Sequence, residues 1–246
     1  FSESITGFEE GDITVGNGTL SNFSGSGTSY SFDVSPSSEG EVTIDIVENV
    51  AVTSAGAGNA VATQFIITYD GTKPSTSISS QESSYTQSAS FNVNVNFSET
   101  ISGFEAADVT INNATISNFS GSDSTYALNV TASSEGAITI DISADVAEDA
   151  TGNSNTAAAQ FTITYDKTSP TVSISSSEGS PTNSSPIPIT FTFSETVVGF
   201  DKDDVALENG TIDDFSGSET TYTFDVTPSS SGEVKVSISE NKIKDR

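Results

Sequence analysis

The sequence predicts an all-β chain built from tandem antiparallel sandwiches, each of two sheets and about seven strands. Three observations carry this. A block of 96 residues recurs without insertion, with FSESITGFE starting at Phe1, FSETISGFE at Phe97 and FSETVVGF at Phe193. Apolar residues within a block fall at every second position, the period of a strand with one face in a core and one in water. Clusters of Gly, Ser, Asn and Pro separate these runs at short spacing, as hairpins and corners require.

Taken in order through the middle copy, the first strand is expected at 75–79. The second, 89–98, alternates Phe91, Val93, Val95 and Phe97 with Asn92, Asn94 and Asn96. A single helical turn is expected around Glu105–Asp108, followed by short strands at 108–112 and 115–120. The fifth strand, 124–131, points Tyr126, Leu128 and Val130 to one side and Ala127 and Asn129 to the other. The sixth, 136–143, does the same with Ile138, Ile140 and Ile142 against Thr139 and Asp141. The seventh, 157–165, sets Phe161, Ile163 and Tyr165 against Thr162 and Thr164. Seven short strands in a block of this size match the Ig-like two-sheet pattern, with other small sandwiches as the alternative. The chain has no Cys and no Trp, so the core must hold by apolar packing without an inter-sheet disulfide. Phe91, Phe97, Tyr126, Ile140 and Phe161 are its expected centre.

Repeat phase and domain phase differ. The links Asp70–Pro74 and Asp166–Pro170 each follow a final strand and end in a Pro that holds the chain extended. The expected domains are therefore 1–70, 71–166 and 167–246, the first lacking its two opening strands and the third its last. Such a sandwich exposes an edge and part of its core. The expectation is a window from a longer array, with the missing strands present in the parent chain; the alternative is complementation by a neighbouring molecule. The chain opens at Phe1 without an initiator Met, and any targeting segment is expected outside it.

Composition narrows function. With 34 acidic against 7 basic residues the formal net charge is -27, which excludes nucleic acid as a partner and disfavours an anionic membrane surface. No apolar run is long enough to span a bilayer, so direct membrane insertion is not expected. Cys and His are absent, which removes zinc sites and the Ser–His and Cys–His nucleophile systems. Acidity of this kind serves solubility or ligates a hard cation such as calcium. A carboxylate pair could in principle hydrolyse glycosides. The acids recur in every copy without an aromatic sugar platform, however, and no enzyme is expected.

The run F-S-E-x-(I/V)-x-G-F, then D-V-T, N-x-T-(I/L)-S-N-F-S-G-S, T-Y-x-(F/L)-x-V, E-G-x-(I/V)-T-I and Y-D-x-T-x-P resembles the bacterial Ig-like repeats of large surface adhesins and biofilm-associated proteins. The resemblance covers the whole chain. It implies extender modules of a stalk or filament on a secreted or cell-surface protein. Partners would be neighbouring repeats of the same long chain, with self-association into a filament. It also implies calcium at domain junctions in several relatives. Many such repeats carry D-x-A-G-N in the last long loop. Asp149-Ala150-Thr151-Gly152-Asn153 keeps the Asp, Gly and Asn, whereas Thr53-Ser54-Ala55-Gly56-Ala57 has lost both polar ends. An ion site that depends on this loop is not expected in the first copy.

Topology locates the acids. In an Ig-like sandwich the loops between strands two and three and between strands six and seven lie at the pole where the chain enters. The first junction gathers Asp70, Glu99, Asp108 and Asp149, with Glu39, Glu105, Asp145 and Glu148 nearby; the second gathers Asp166, Glu195, Asp204 and Asp245, with Asp203 and Glu135. Carboxylates this dense suit a calcium ion taking about 6–8 oxygens. The competing reading has Asp108 and Asp204 capping local turns and Glu99 accepting backbone N–H bonds. Asn17-Gly18-Thr19, Asn113-Ala114-Thr115 and Asn118-Phe119-Ser120 match the glycosylation pattern, but turn formation is the expected role of these Asn. Two functions remain: a structural extender, or a module that itself grips a glycan or protein. Ser, Thr and Asn at the outward strand positions favour the extender, because binding surfaces are marked by exposed apolar patches.

Overall fold

The computed structural model describes residues 1–238 and 243–245. These fall into two compact units: Phe1–Gln81 with Asn92–Val130 and Thr139–Phe161, and Glu82–Phe91 with Thr131–Ile138 and the chain from Thr162. The first copy of the repeat forms β1 (Ile5–Thr6), β2 (Ile13–Gly16), β3 (Gly18–Ser26), β4 (Ser29–Pro36), β5 (Gly40–Ile46), β6 (Val52–Thr53) and β7 (Phe65–Tyr69). They assemble as a three-stranded sheet β2-β5-β7, a pair β3-β4 and a pair β1-β6.

The middle copy forms β8 (Thr76–Ser80), β9 (Tyr85–Thr86), β10 (Ser90–Phe97), β11 (Val109–Asn112), β12 (Ala114–Ser122), β13 (Thr125–Ala132), β14 (Gly136–Ile142) and β15 (Phe161–Tyr165). Its sheets run β12-β13-β10-β8 and β11-β14-β15-β9. In the third copy β16 (Val172–Ser176), β17 (Ile187–Phe193), β19 (Gly210–Ser218) and β20 (Thr221–Pro228) make one sheet in the order β16-β17-β20-β19, and β18 (Val205–Glu208) pairs with β21 (Lys235–Ile238). β8 with β10, β11 with β14, β16 with β17 and β17 with β20 pair antiparallel, whereas β15 and β9 run parallel. The chain is all-β, as its alternation predicts, and the helical content among the described residues is three 3-10 turns, one of them Ala106–Asp108.

Alternation sorts the side chains. Val93, Val95, Leu128, Val130, Ile138, Ile140 and Ile142 are buried, and so are Phe91, Phe97 and Tyr126. Phe161 is a correction. It opens β15 straight out of a long irregular stretch and is only half-buried, and Ile163, two residues further in, takes the core position at 1% exposure. The two-residue β9 is also absent from the expected strands, because a pair flanked by Ser and Gln has no period to read.

The repeated F-S-E-x-x-x-G-F run has a packing explanation. Phe97, Phe104, Phe119 and Tyr126 form one aromatic cluster, with ring centroids 5.1 Å apart for Phe97–Phe104, 5.0 Å for Phe104–Tyr126 and 5.7 Å for Phe119–Tyr126. The same four places are filled by Phe1, Phe8, Phe23 and Tyr30 in the first copy and by Phe193, Phe200, Phe215 and Tyr222 in the third. Gly103, at φ +89, takes the left-handed turn that aims Phe104 inward, a backbone state costly for any residue with a Cβ. Asn118, at φ 52, serves as a left-handed pivot within β12, as Asn22 does at the register shift in β3.

Exposure differs between copies at one place. Ile67 of β7 is 55% exposed although its counterpart Ile163 is buried, and Phe65 and Tyr69 are exposed beside it. The reason is the opposing layer. The β3-β4 pair has two strands where the corresponding sheet of the middle copy has four.

Candidate metal centres

Each of the two acidic clusters lies within one compact unit. Asp70 stands immediately after β7, where the chain leaves its last strand. Glu99 sits just past the end of β10, and Asp149 lies in the long stretch between β14 and β15. One carboxylate oxygen from each lies within 4.8 Å of the other two. The second cluster repeats this with Asp166, Glu195 and Asp245, again within 4.8 Å of one another.

Asp149 is held by its own loop. Its Oδ1 accepts from the Thr151 N–H at 2.8 Å, the Thr151 hydroxyl at 2.9 Å and the Asn153 N–H at 2.9 Å, and its Oδ2 accepts from Asn153 Nδ2 at 2.9 Å. The residue is 7% exposed, and burial alone would raise its pKa. The hydrogen bonds from Asn153 and Thr151 outweigh burial and lower the pKa to about 2. Asn153 Nδ2 also donates to the Asp70 carbonyl at 3.1 Å, which ties the loop to the linker. Asp70 folds its carboxylate onto the Thr72 N–H at 3.0 Å, and Glu39 accepts from the Gly71 N–H through both oxygens, at 3.1 and 3.0 Å. The second cluster repeats these braces: Asp166 accepts from the Thr168 N–H at 3.1 Å, and Glu135 accepts from the Lys167 N–H at 3.0 Å and the Thr168 hydroxyl at 2.7 Å.

Glu99 differs from its neighbours. It is half-buried and accepts no hydrogen bond from any described residue. Burial, then the charges of Asp149, Asp70 and Glu39, raise its pKa. Glu195 stands in the same position, raised by burial and by Asp166, Asp245 and Glu135. A neutral-pH carboxylate facing two others without a donor is electrostatically unfavourable until a cation enters. The donor set is oxygen throughout, with no imidazole or thiolate in the chain, so it fits a hard cation of the calcium type and not zinc.

Asp108 and Asp204 stand outside these triplets. Asp108 turns back on its own 3-10 turn and accepts from the Glu105 N–H at 2.7 Å, and Asp204 accepts from the Asp201 N–H at 3.1 Å. Both make the local caps that the competing reading assigned them. Asp145 pairs loosely with Lys73 at 3.9 Å, both side chains well exposed. Sequence reading passed over Thr151 as a support for Asp149, although the alternation Asp-x-Thr-x-Asn is visible once the loop is known. In the first copy Thr53 stands where Asp149 does, and its hydroxyl accepts from the Ala57 N–H at 3.2 Å; no acidic triplet forms there among the described residues.

Sandwiches of two antiparallel sheets recurring in tandem at a fixed spacing define a class of repetitive Ig-like module. The chain belongs to the bacterial Ig-like domain family, whose model matches residues 1–69, 70–165 and 166–246. Among curated proteins, none matches. Among solved structures the chain is similar to invasin, a bacterial integrin-binding protein, at 12% identity and a TM-score of 0.39, covering 95% of this chain. The chain spans about half of that structure, 49% of its length.

Proposed function

We propose that this chain is an extender segment of a secreted or cell-surface bacterial adhesin, with calcium held at Asp70, Glu99 and Asp149 and again at Asp166, Glu195 and Asp245. The observation that carries the metal is Glu99, together with Glu195: a half-buried carboxylate without a donor among the described residues, facing two further acids. When bound, the ion supplies charge neutralisation and a bond between the linker carboxylate and the loops beyond it. The extender reading is supported by membership of the family and by strands whose outward positions carry Ser, Thr and Asn. The exposed Phe65, Ile67 and Tyr69 lie on the core-side face of β7, so they do not favour a glycan or protein grip. No helix among the described residues is long and apolar enough to cross a membrane.

A calcium titration read by calorimetry, with thermal melting in millimolar calcium and in chelator, tests the metal. An extracellular-type site with Kd of about 10⁻⁴–10⁻³ M adds roughly 0.5–1.5 kcal/mol per site at millimolar calcium. Asp70→Asn should remove one of two binding events. Superimposable melting curves with no binding heat would show that the acids are solvated charge only. Small-angle scattering tests the extender: an elongated particle is expected, and a compact one overturns it.

A further inference from the structure

The parallel contact between β9 and β15 has no part in the metal clusters and joins the second and the last strands of the middle repeat. Tyr85 and Thr86 lie beside Thr164 and Tyr165; the Thr164 N–H donates to the Ser84 carbonyl at 2.9 Å and the Asp166 N–H to the Thr86 carbonyl at 3.0 Å. Thr86 is itself fixed. It is buried, and its hydroxyl donates to Glu82 at 2.9 Å while accepting from the Ser88 N–H at 3.1 Å.

We infer that this pair is the load-bearing clamp of the middle repeat, resisting tension along the chain. In a chain pulled from its two ends, force enters the repeat through β8 and β9 and leaves it through β15 at Asp166. Because β9 and β15 point the same way, those entry and exit points are at opposite ends of the pair. The bonds lie across the line of pull, so they are sheared together instead of being opened one after another. Loss of β8 does not relieve the clamp, since the load then passes directly to Tyr85 and Thr86. Among the described residues no other copy carries such a pair: β7, the counterpart of β15, is bonded to β5 alone. The inference rests on the extender reading, because only a chain held at both ends is loaded in this way.

Force spectroscopy on the whole chain, with handles at its two ends, tests it. One unfolding peak is expected to stand above the others. Thr164→Pro deletes the N–H that faces β9 and leaves the donors that face β14, because successive N–H groups of a strand point to opposite edges. The high peak should then fall to the level of the rest while circular dichroism still reports the folded protein. A second measurement leaves the pair intact. Handles on Ser88→Cys and Lys167→Cys pull the same ends of the two strands, and the absence of native Cys makes the labelling specific. That geometry peels the pair and should open the repeat at lower force than pulling from the chain ends. Equal forces in the two geometries, or an unchanged peak in a folded Thr164→Pro chain, overturn the clamp. A compact particle in scattering would instead overturn the extender and leave the force measurement intact.

Discussion

Asn155 shows how much one polar residue can hold. It is wholly buried, its Oδ1 accepts from the Val146 and Ala147 N–H groups at 2.9 Å each, and its Nδ2 donates to the carbonyls of Ser143 at 3.0 Å and Thr156 at 2.9 Å. Asn59 repeats the pattern in the first copy with Val50, Ala51, Val47 and Ala60. Asn155→Ala should cost about 3 kcal/mol or more in chemical denaturation, since it leaves buried backbone groups without partners. A loss under about 1 kcal/mol would mean that water replaces the amide. Glu99 and Glu195 make a pH prediction. Their folded pKa values are raised, so the folded state binds the proton more tightly, and their contribution is fully present below the unfolded value and lost as pH rises through the folded one. Asp149 works oppositely, contributing above its ordinary value and losing that contribution only as pH falls toward about 2, so it does not offset them near neutrality. In chelator the melting temperature should therefore rise as pH drops from neutrality toward the ordinary Glu value, and the double variant Glu99→Gln with Glu195→Gln should flatten that rise. Calcium should reverse it. The triplet acids were legible in the sequence because charge at a loop is conspicuous. Asn155 was not, since a lone Asn in a Ser- and Asn-rich loop carries no period and no charge.

At the level of elements, the aromatic cluster couples β10 to β13. Phe104→Ala should cost about 3–5 kcal/mol, the range for emptying a large core site, and melting of the variant checks it. Period two located β10, β13 and β14 within a residue or two, because each buries one face along its full length. It placed the last strand too early, at 157 instead of Phe161, since Ala157, Ala158 and Ala159 are apolar enough to pass for a strand that does not form. Phe161 was set at the core centre for the same reason. Hydrophobicity by itself does not say where along a strand the opposing sheet ends. β9 escaped notice because its formation depends on the edge offered by β15, a distant partner.

Over the whole molecule, three copies share one aromatic cluster, one 3-10 turn and one left-handed Gly, yet they differ at the acidic triplet. Two triplets form, each drawing its first acid from just after the last strand of one copy and the others from loops of the next; the first copy, with Glu3 and Thr53 in the corresponding places, has none among the described residues. Which copies carry a triplet was readable from the loop in which Thr53 replaces Asp149. The exclusion of Asp108 and Asp204 was not, because their capping bonds depend on the three-dimensional turn. The divided origin of each triplet bears on how such a protein can change its length. Removing or duplicating a stretch of 96 residues, wherever the cut falls, returns every surviving Asp70-type residue to a following Glu99-type residue in the same register. Copy number can thus vary in whole steps without rebuilding a single cluster. The one sequence-level requirement is that the copy on the downstream side carry Asp, and not Thr, at the position of Asp149.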